Sequence, residues 1–205
     1  MFLNHFKMND HPFQERPPVE WILNDNRICE SLARLDYFAQ QGTLALLIGQ
    51  TGVGKSTLLR LFIQNLSKNR YRPLYLHFTG IPSAGLLVTQ LGEAPRRGKE
   101  NLFLQILERT AKGELLTLLI IDEAHLIDPQ ALTDLRLLVS SALDTDTPVK
   151  IVLSGQESLA RLLARASLTD LVNRISVRCH LSALTKEQTA SYIDSRMRCA
   201  GSHDK

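Results

Sequence analysis

Two stretches of this chain carry residue types at spacings that do phosphate chemistry. The first, "GQTGVGKST" at 49–57, satisfies G-x-x-x-x-G-K-[ST] through Gly49, Gly54, Lys55 and Ser56. Gly49, Gly52 and Gly54 let the main chain turn left-handed and approach phosphate oxygens without a Cβ in the way. Successive N–H groups across Gln50, Thr51 and Val53 then form an anion nest, to which a following helix adds its positive end. Lys55 supplies a point charge toward the β- and γ-phosphates. Ser56 offers a hydroxyl to Mg²⁺, and Thr57 packs beside it. The second stretch, "LLIIDEAH", ends an apolar run in two acids. A carboxylate there is costly to bury unless a cation or hydrogen bonds compensate it. Asp122 is expected to hold Mg²⁺ through its water shell, and Glu123 to orient and activate the attacking water. A nucleotide switch needs only the first acid, so Glu123 favours turnover, with ATP and Mg²⁺ as the implied ligands. "DEAH" also matches a helicase box, but such helicases need a second motor domain. His125 is therefore read as a supporting residue.

Both motifs need strands to position them. "LALLI" at 44–48 is a short apolar run that breaks into the glycine loop, as a buried parallel strand does. Further strands are expected at 73–78, 115–121, 149–155 and 174–181, the one at 115–121 ending in the acids and lying beside the phosphate-loop strand. Helical spacing is expected over 30–40, 55–68, 83–92 and 100–112, after Pro129, in two short stretches beyond 155, and over 185–197 with Thr185 as N-cap. Strands alternating with helices give an α/β fold of P-loop NTPase type: a five-stranded parallel sheet in three α/β/α layers. The expected units are an arm at 1–28, an ATPase core at 29–183 and the start of a helical lid at 184–205.

Composition is consistent with this. The 205 residues are 44% hydrophobic and 22% charged, enough for one globular core. The net charge of +3 permits nucleic acid without requiring it. Cys29, Cys179 and Cys199 are scattered with no zinc spacing, which reads as a reduced, cytoplasmic chain, and Cys179 beside His180 reads as strand rather than metal ligand. No apolar run approaches the roughly 20 residues that span a bilayer, so no membrane partner is expected.

With these pieces placed, the chain resembles the AAA+ ATPases, specifically the ExeA, TniB and TnsC-like branch. The resemblance rests on "HPFQERPP", "GQTGVGKSTLLR", "LLIIDEAHLI", "IVLSGQESL" and "LVNRISVRCHLSALTKEQTASYI". It implies a homo-oligomer, ring or helical filament, with nucleotide between subunits. Gln156 in "SGQES" falls at sensor 1, with Ser154 behind it. Arg174 in "LVNRI" falls at the arginine finger that completes a neighbour's site, with Arg178 as runner-up. The arm packs near adenine in the family, so Pro12, Phe13, Trp21, Ile22 and Leu23 are candidates for the base pocket, with core packing the alternative. No sensor 2 residue can be assigned.

The branch implies an ATP-dependent regulator of DNA transposition that assembles on duplex DNA and recruits or stimulates a transposase. Lys68, Arg70, Arg72, Arg96, Arg97, Lys99 and Lys150 are candidates for phosphate contacts, with Thr79 and Ser83 adding hydroxyls; solvated surface is the alternative for each. A secretion-assembly ATPase and a helicase-loader-type replication ATPase are the other functions this fold allows.

Overall fold

The computed structural model describes residues 2–5, 8–77, 115–127, 129, 132, 133, 135 and 149–201. Five parallel strands form one sheet: β1 (Leu44–Ile48), β2 (Tyr71–His77), β3 (Leu116–Asp122), β4 (Val149–Gly155) and β5 (Ile175–His180). Their order is β2-β3-β4-β1-β5. The expected α/β class and strand count stand. One neighbour relation does not: β3 lies beside β4, not beside the phosphate-loop strand β1. Inserting β4 places a third polar residue, Ser154, between the loop and the acids.

Helices with described bounds are α1 (Phe2–His5), α2 (Asn26–Gln41), α3 (Lys55–Asn65), α4 (Glu157–Leu163), α5 (Thr169–Val172) and α6 (Lys186–Cys199). Helix α2 starts four residues before its apolar spacing suggests, because Asp25 accepts from the Ile28 amide at 3.1 Å and caps it. Helix α3 ends at Asn65, short of 68, where Leu66 turns extended. Thr185 caps α6 in a reciprocal box with Gln188, as expected. Residues 129, 132, 133 and 135 are helical after Pro129; the helices expected at 83–92 and 100–112 lie outside the described residues.

Strand alternation divides the core into two clusters, one on each face of the sheet. Leu44, Leu46, Ile121, Ile151 and Leu153 pack with Leu159 and Leu163 of α4 on one side. Ala45, Leu47, Leu118, Ile120, Val152 and Val177 pack on the other with α2 and α3, through Leu35, Phe38, Leu58 and Phe62. Asp122 has the parity of Leu118 and Ile120, and Ser154 that of Val152. The last polar residues of β3 and β4 therefore lie on the face that α3 covers.

Cys179 is buried in this second cluster, and burial pushes its thiol up to about 11. His180 points to the other face, 3.0 Å from Glu157, so the two share no ligand set. Lys150 corrects a sequence expectation. It is buried, and its ammonium donates to the Gly42 carbonyl at 2.6 Å and the Gln40 carbonyl at 3.5 Å. It neutralises the negative C-terminal end of α2 and is not presented to nucleic acid.

The arm is tied to the last helix. The amides of Asn9 and Asp10 donate to the Ala200 carbonyl at its end, and Arg27, at the start of α2, reaches the Ser182 carbonyl ahead of that helix. Arg196 of α6, 1% exposed, lies 5.4 Å from the Trp21 ring and 5.9 Å from the Tyr192 ring. Its Nε and Nη2 find no hydrogen-bond partner among the described residues, so the two π faces are its main compensation. Replacing a poorly compensated buried charge by an apolar chain of similar length costs little, whereas truncating it opens a cavity. Arg196→Met should keep the wild-type unfolding free energy or raise it slightly. Arg196→Ala should lose roughly 2–4 kcal/mol, both measured by denaturant unfolding.

Candidate functional site

The loop between β1 and α3 is shaped by glycine for two different reasons. Gly52 and Gly54 have φ of 82° and 104°, which side chains other than glycine rarely adopt, and a Cβ on either would meet nothing within 4 Å. Gly49 differs from the left-handed role expected of it. It lacks positive φ, and a Cβ there would sit 2.5 Å from the Leu181 carbonyl oxygen and 2.9 Å from Val53. Its amide is bound to the Gly155 carbonyl at 3.2 Å, so the free amides of the nest start after it. Gln50, Thr51 and Gly52 are exposed, Val53 and Gly54 partly so. Gly54 begins α3 with no side-chain cap, leaving the first amides of that helix directed at the loop.

Lys55 is 5% exposed, and its ammonium donates to the Gly49 and Gln50 carbonyls, both at 2.9 Å. Two of its three hydrogens thus fix the amine inside the loop, and one remains for an anion.

Asp122 is fully buried and takes four hydrogen bonds. Oδ2 accepts from Ser56 Oγ at 2.7 Å and from the Tyr75 hydroxyl at 2.7 Å. Oδ1 accepts from Ser154 Oγ at 2.8 Å and from the Glu123 amide at 3.0 Å. His77 Nδ1 stands 3.9 Å from Oδ2, too far for a hydrogen bond. Burial alone pushes this carboxyl up; the bonds from Ser56, Tyr75, Ser154 and the Glu123 amide outweigh it and hold Asp122 below its ordinary 3.8. Asp122 is therefore a carboxylate at neutral pH. Its contribution to stability is present above 3.8 and fades only as pH falls through the lowered value. Tyr75 is pushed above its ordinary value by burial and by Asp122, which keeps it a donor.

Glu123 is the one non-glycine residue with positive φ, 56°, among the described residues. This turn carries the chain from β3 into a 3-10 turn at Ala124–Leu126 and brings Glu123 Oε2 to 3.2 Å from His125 Nδ1. The pair is close but not aligned for a hydrogen bond. His125, largely buried, is the group beside the second acid, in keeping with a supporting place.

Ser56 and Asp122 thus bring a hydroxyl and a carboxylate oxygen within 2.7 Å of each other beside the loop. Hard oxygen donors so placed suit Mg²⁺. Ser154 was expected behind Gln156 and instead bonds Asp122 directly. Gln156 precedes α4, partly exposed, and its side chain does not cap that helix. Arg174 and Arg178 are exposed on β5 or just before it. Arg174 stands at the strand's start, beside Leu44, while the loop follows the far end of β1. Some five residues of strand, roughly 17 Å, separate them. Phe13 is 56% exposed with its ring centroid 6.4 Å from that of Tyr192; Pro12 is buried, Ile22 packs on the α2–α3 core, Trp21 lies over Arg196, and Leu23 is half-buried. Arg70 is exposed, its guanidinium 5.4 Å from the Tyr71 ring, and Lys68 and Arg72 are exposed beside it. Thr79, Ser83, Arg96, Arg97 and Lys99 lie outside the described residues.

Sequence reasoning missed Tyr75 and His77. The signal for them is parity: β2 runs parallel to β3 with His77 opposite Asp122, so alternate residues ending β2 share the face of the acid.

A five-stranded parallel sheet with this loop and this acid pair defines a P-loop NTPase. The AAA domain family matches residues 39–163, and the chain belongs to it. Over 210 residues it is 28% identical to General secretion pathway protein A of Aeromonas hydrophila, a match covering 98% of this chain and 38% of that protein. The chain therefore spans well under half of that relative. Among solved structures, a Walker-type ATPase of Pyrococcus abyssi superposes with a TM-score of 0.69 at 18% identity, over 95% of this chain and 64% of that one. The Aeropyrum pernix ORC1 protein in complex with DNA superposes with a TM-score of 0.66 at 16% identity, over 94% and 52%. At those identities the structures share the fold.

The close approach at Gly49 gives a direct test. Gly49→Ala should cost roughly 1–3 kcal/mol of stability by forcing the loop off Leu181, and should weaken nucleotide binding more than Gly42→Ala, measured by thermal unfolding and by titration with a fluorescent ATP analogue. At Gly42 the added Cβ meets Ser176 and Phe38, away from the loop.

Proposed function

We propose that the chain is a Mg²⁺-dependent ATPase whose turnover requires a neighbouring copy, and that it acts on duplex DNA as a regulator of transposition. The observation that carries the ATPase reading is the ionised Asp122, held 2.7 Å from the hydroxyl of Ser56 at the mouth of the phosphate loop. Ser56 and Asp122 would hold Mg²⁺, which when bound draws charge from the terminal phosphates. Loop amides from Gln50 to Gly54 and the start of α3 bind the phosphates. Lys55 adds its remaining hydrogen to the β- and γ-oxygens, with Thr57 beside the cradle. Glu123 orients a water for attack and takes its proton. Gln156, at the end of β4, reaches the γ-phosphate, and Phe13 stacks beside the base.

Arg174 stabilises charge on the phosphoryl group of an adjoining subunit. Its place at the opposite end of the strands from its own loop supports action in trans, because in cis it is a strand's length away. Hydrolysis would then depend on assembly into a ring or filament. Duplex DNA is the proposed template, with Arg70, Arg96, Arg97 and Lys99 meeting phosphates and Thr79 adding a hydroxyl. The resemblance to transposition regulators and the fold shared with a DNA-bound ORC1 protein support this. A transposase would be the protein partner, and the cytoplasm the compartment.

A second reading, a secretion-assembly ATPase, is favoured by the similarity to General secretion pathway protein A across 98% of this chain.

Two experiments test these assignments. Glu123→Gln should bind ATP like wild type and hydrolyse it at least roughly a hundredfold more slowly; turnover near wild type removes Glu123 from the role. Arg174→Ala and Lys55→Ala should each be inactive alone, and mixing them should restore part of the hydrolysis through composite sites. For DNA, affinity for duplex should require ATP and fall steeply with salt. ATP-independent or salt-insensitive binding would leave the secretion reading in its place.

A further inference from the structure

Asp122 has two oxygens with different surroundings. Oδ1 is gripped by Ser154, fully buried, and by the main-chain amide of Glu123. These two donors are enough to fix the carboxylate's plane. Oδ2 faces Ser56 and accepts both the Ser56 and Tyr75 hydroxyls at 2.7 Å. An sp² carboxylate oxygen has two lone pairs, so these two donors fill it. A hydrated divalent cation directs its water hydrogens at the nearest carboxylate oxygen, and beside Ser56 that oxygen is Oδ2.

The Ser56 hydroxyl can present its own lone pair to a cation and still donate to Asp122. The Tyr75 hydroxyl also has lone pairs, but as placed its hydrogen occupies the second acceptor position of Oδ2. Tyr75 is also 40% exposed, and it lines an open groove of about 600 Å³ with Arg16, Arg60 and His77. A phenol there can turn its hydroxyl to water when a cation's shell takes Oδ2, at the cost of the bond it makes to the carboxylate. His77 Nδ1, 3.9 Å from Oδ2, is too far to fill it.

We propose that Tyr75 sets how tightly the site takes its cation, by competing with the cation's water shell for Oδ2 of Asp122. It is a positioning residue that weakens Mg²⁺ binding, while Ser154 on Oδ1 strengthens it. This rests on the reading that Ser56 and Asp122 hold the metal.

The test is Mg²⁺ titration of fluorescent ATP-analogue binding, read by anisotropy, for wild type, Tyr75→Phe, Tyr75→Leu and Ser154→Ala, with each protein's nucleotide affinity in EDTA as reference. Loss of one competing hydrogen bond should lower the half-maximal Mg²⁺ concentration roughly three- to tenfold in both Tyr75 variants. Affinity in EDTA should stay at the wild-type value, and Ser154→Ala should need more Mg²⁺. An unchanged or raised Mg²⁺ requirement in both Tyr75 variants overturns the competition, as does an equal change in EDTA. If wild type itself binds nucleotide identically with Mg²⁺ and with EDTA, the metal reading beneath it fails, which is a separate result.

Discussion

A carboxylate with no solvent exposure at the end of an apolar strand is stable as an anion only if its charge is met on every side. Asp122 meets that condition through four donors from four places: Ser56 on α3, Tyr75 on β2, Ser154 on β4 and the next peptide of its own chain. The sheet order makes this possible. With β4 between β3 and β1, Ser154 stands beside the acid and α3 overlies both, so the phosphate loop and the acid become one site rather than two strand ends.

The rest of the molecule supports that arrangement from both faces. The clusters around α2–α3 and α4 fix the strand register, and Lys150 closes the end of α2 against the sheet. Gly49 lets the loop lie against Leu181, the residue that follows β5, so the strand next to β1 also bears on the loop's position. Beyond the sheet, the arm and α6 are joined through Ala200, Trp21 and Arg196. Movement of α6 would thus be felt by the arm, and through Arg60, which donates to the Pro17 carbonyl, by the helix that starts at Lys55.

Strands β1, β3 and β4 were legible in the sequence because buried parallel strands are short apolar runs, and "VKIVLSG" is found at 149–155 as expected. Glycine spacing and the "DE" pair likewise identified the loop and the acids. What one sequence does not contain is which strand lies beside which. Hence β4 was not expected between β1 and β3, and Ser154 was placed behind Gln156 rather than on Asp122. Lys150 looked like a surface cation because charge is visible in a sequence, whereas the carbonyls of Gln40 and Gly42 that bury it are more than a hundred residues away. Tyr75 escaped notice for a similar reason: its role depends on the β2–β3 register, which puts His77 opposite Asp122.

The measurement that bears most directly on this account is ATP binding to wild type and to Asp122→Asn by calorimetry, each with Mg²⁺ and with EDTA. An ionised Asp122 that completes a cation site with Ser56 requires Mg²⁺ to tighten binding in wild type and to lose that effect in the variant. Equal tightening by Mg²⁺ in both proteins would contradict it.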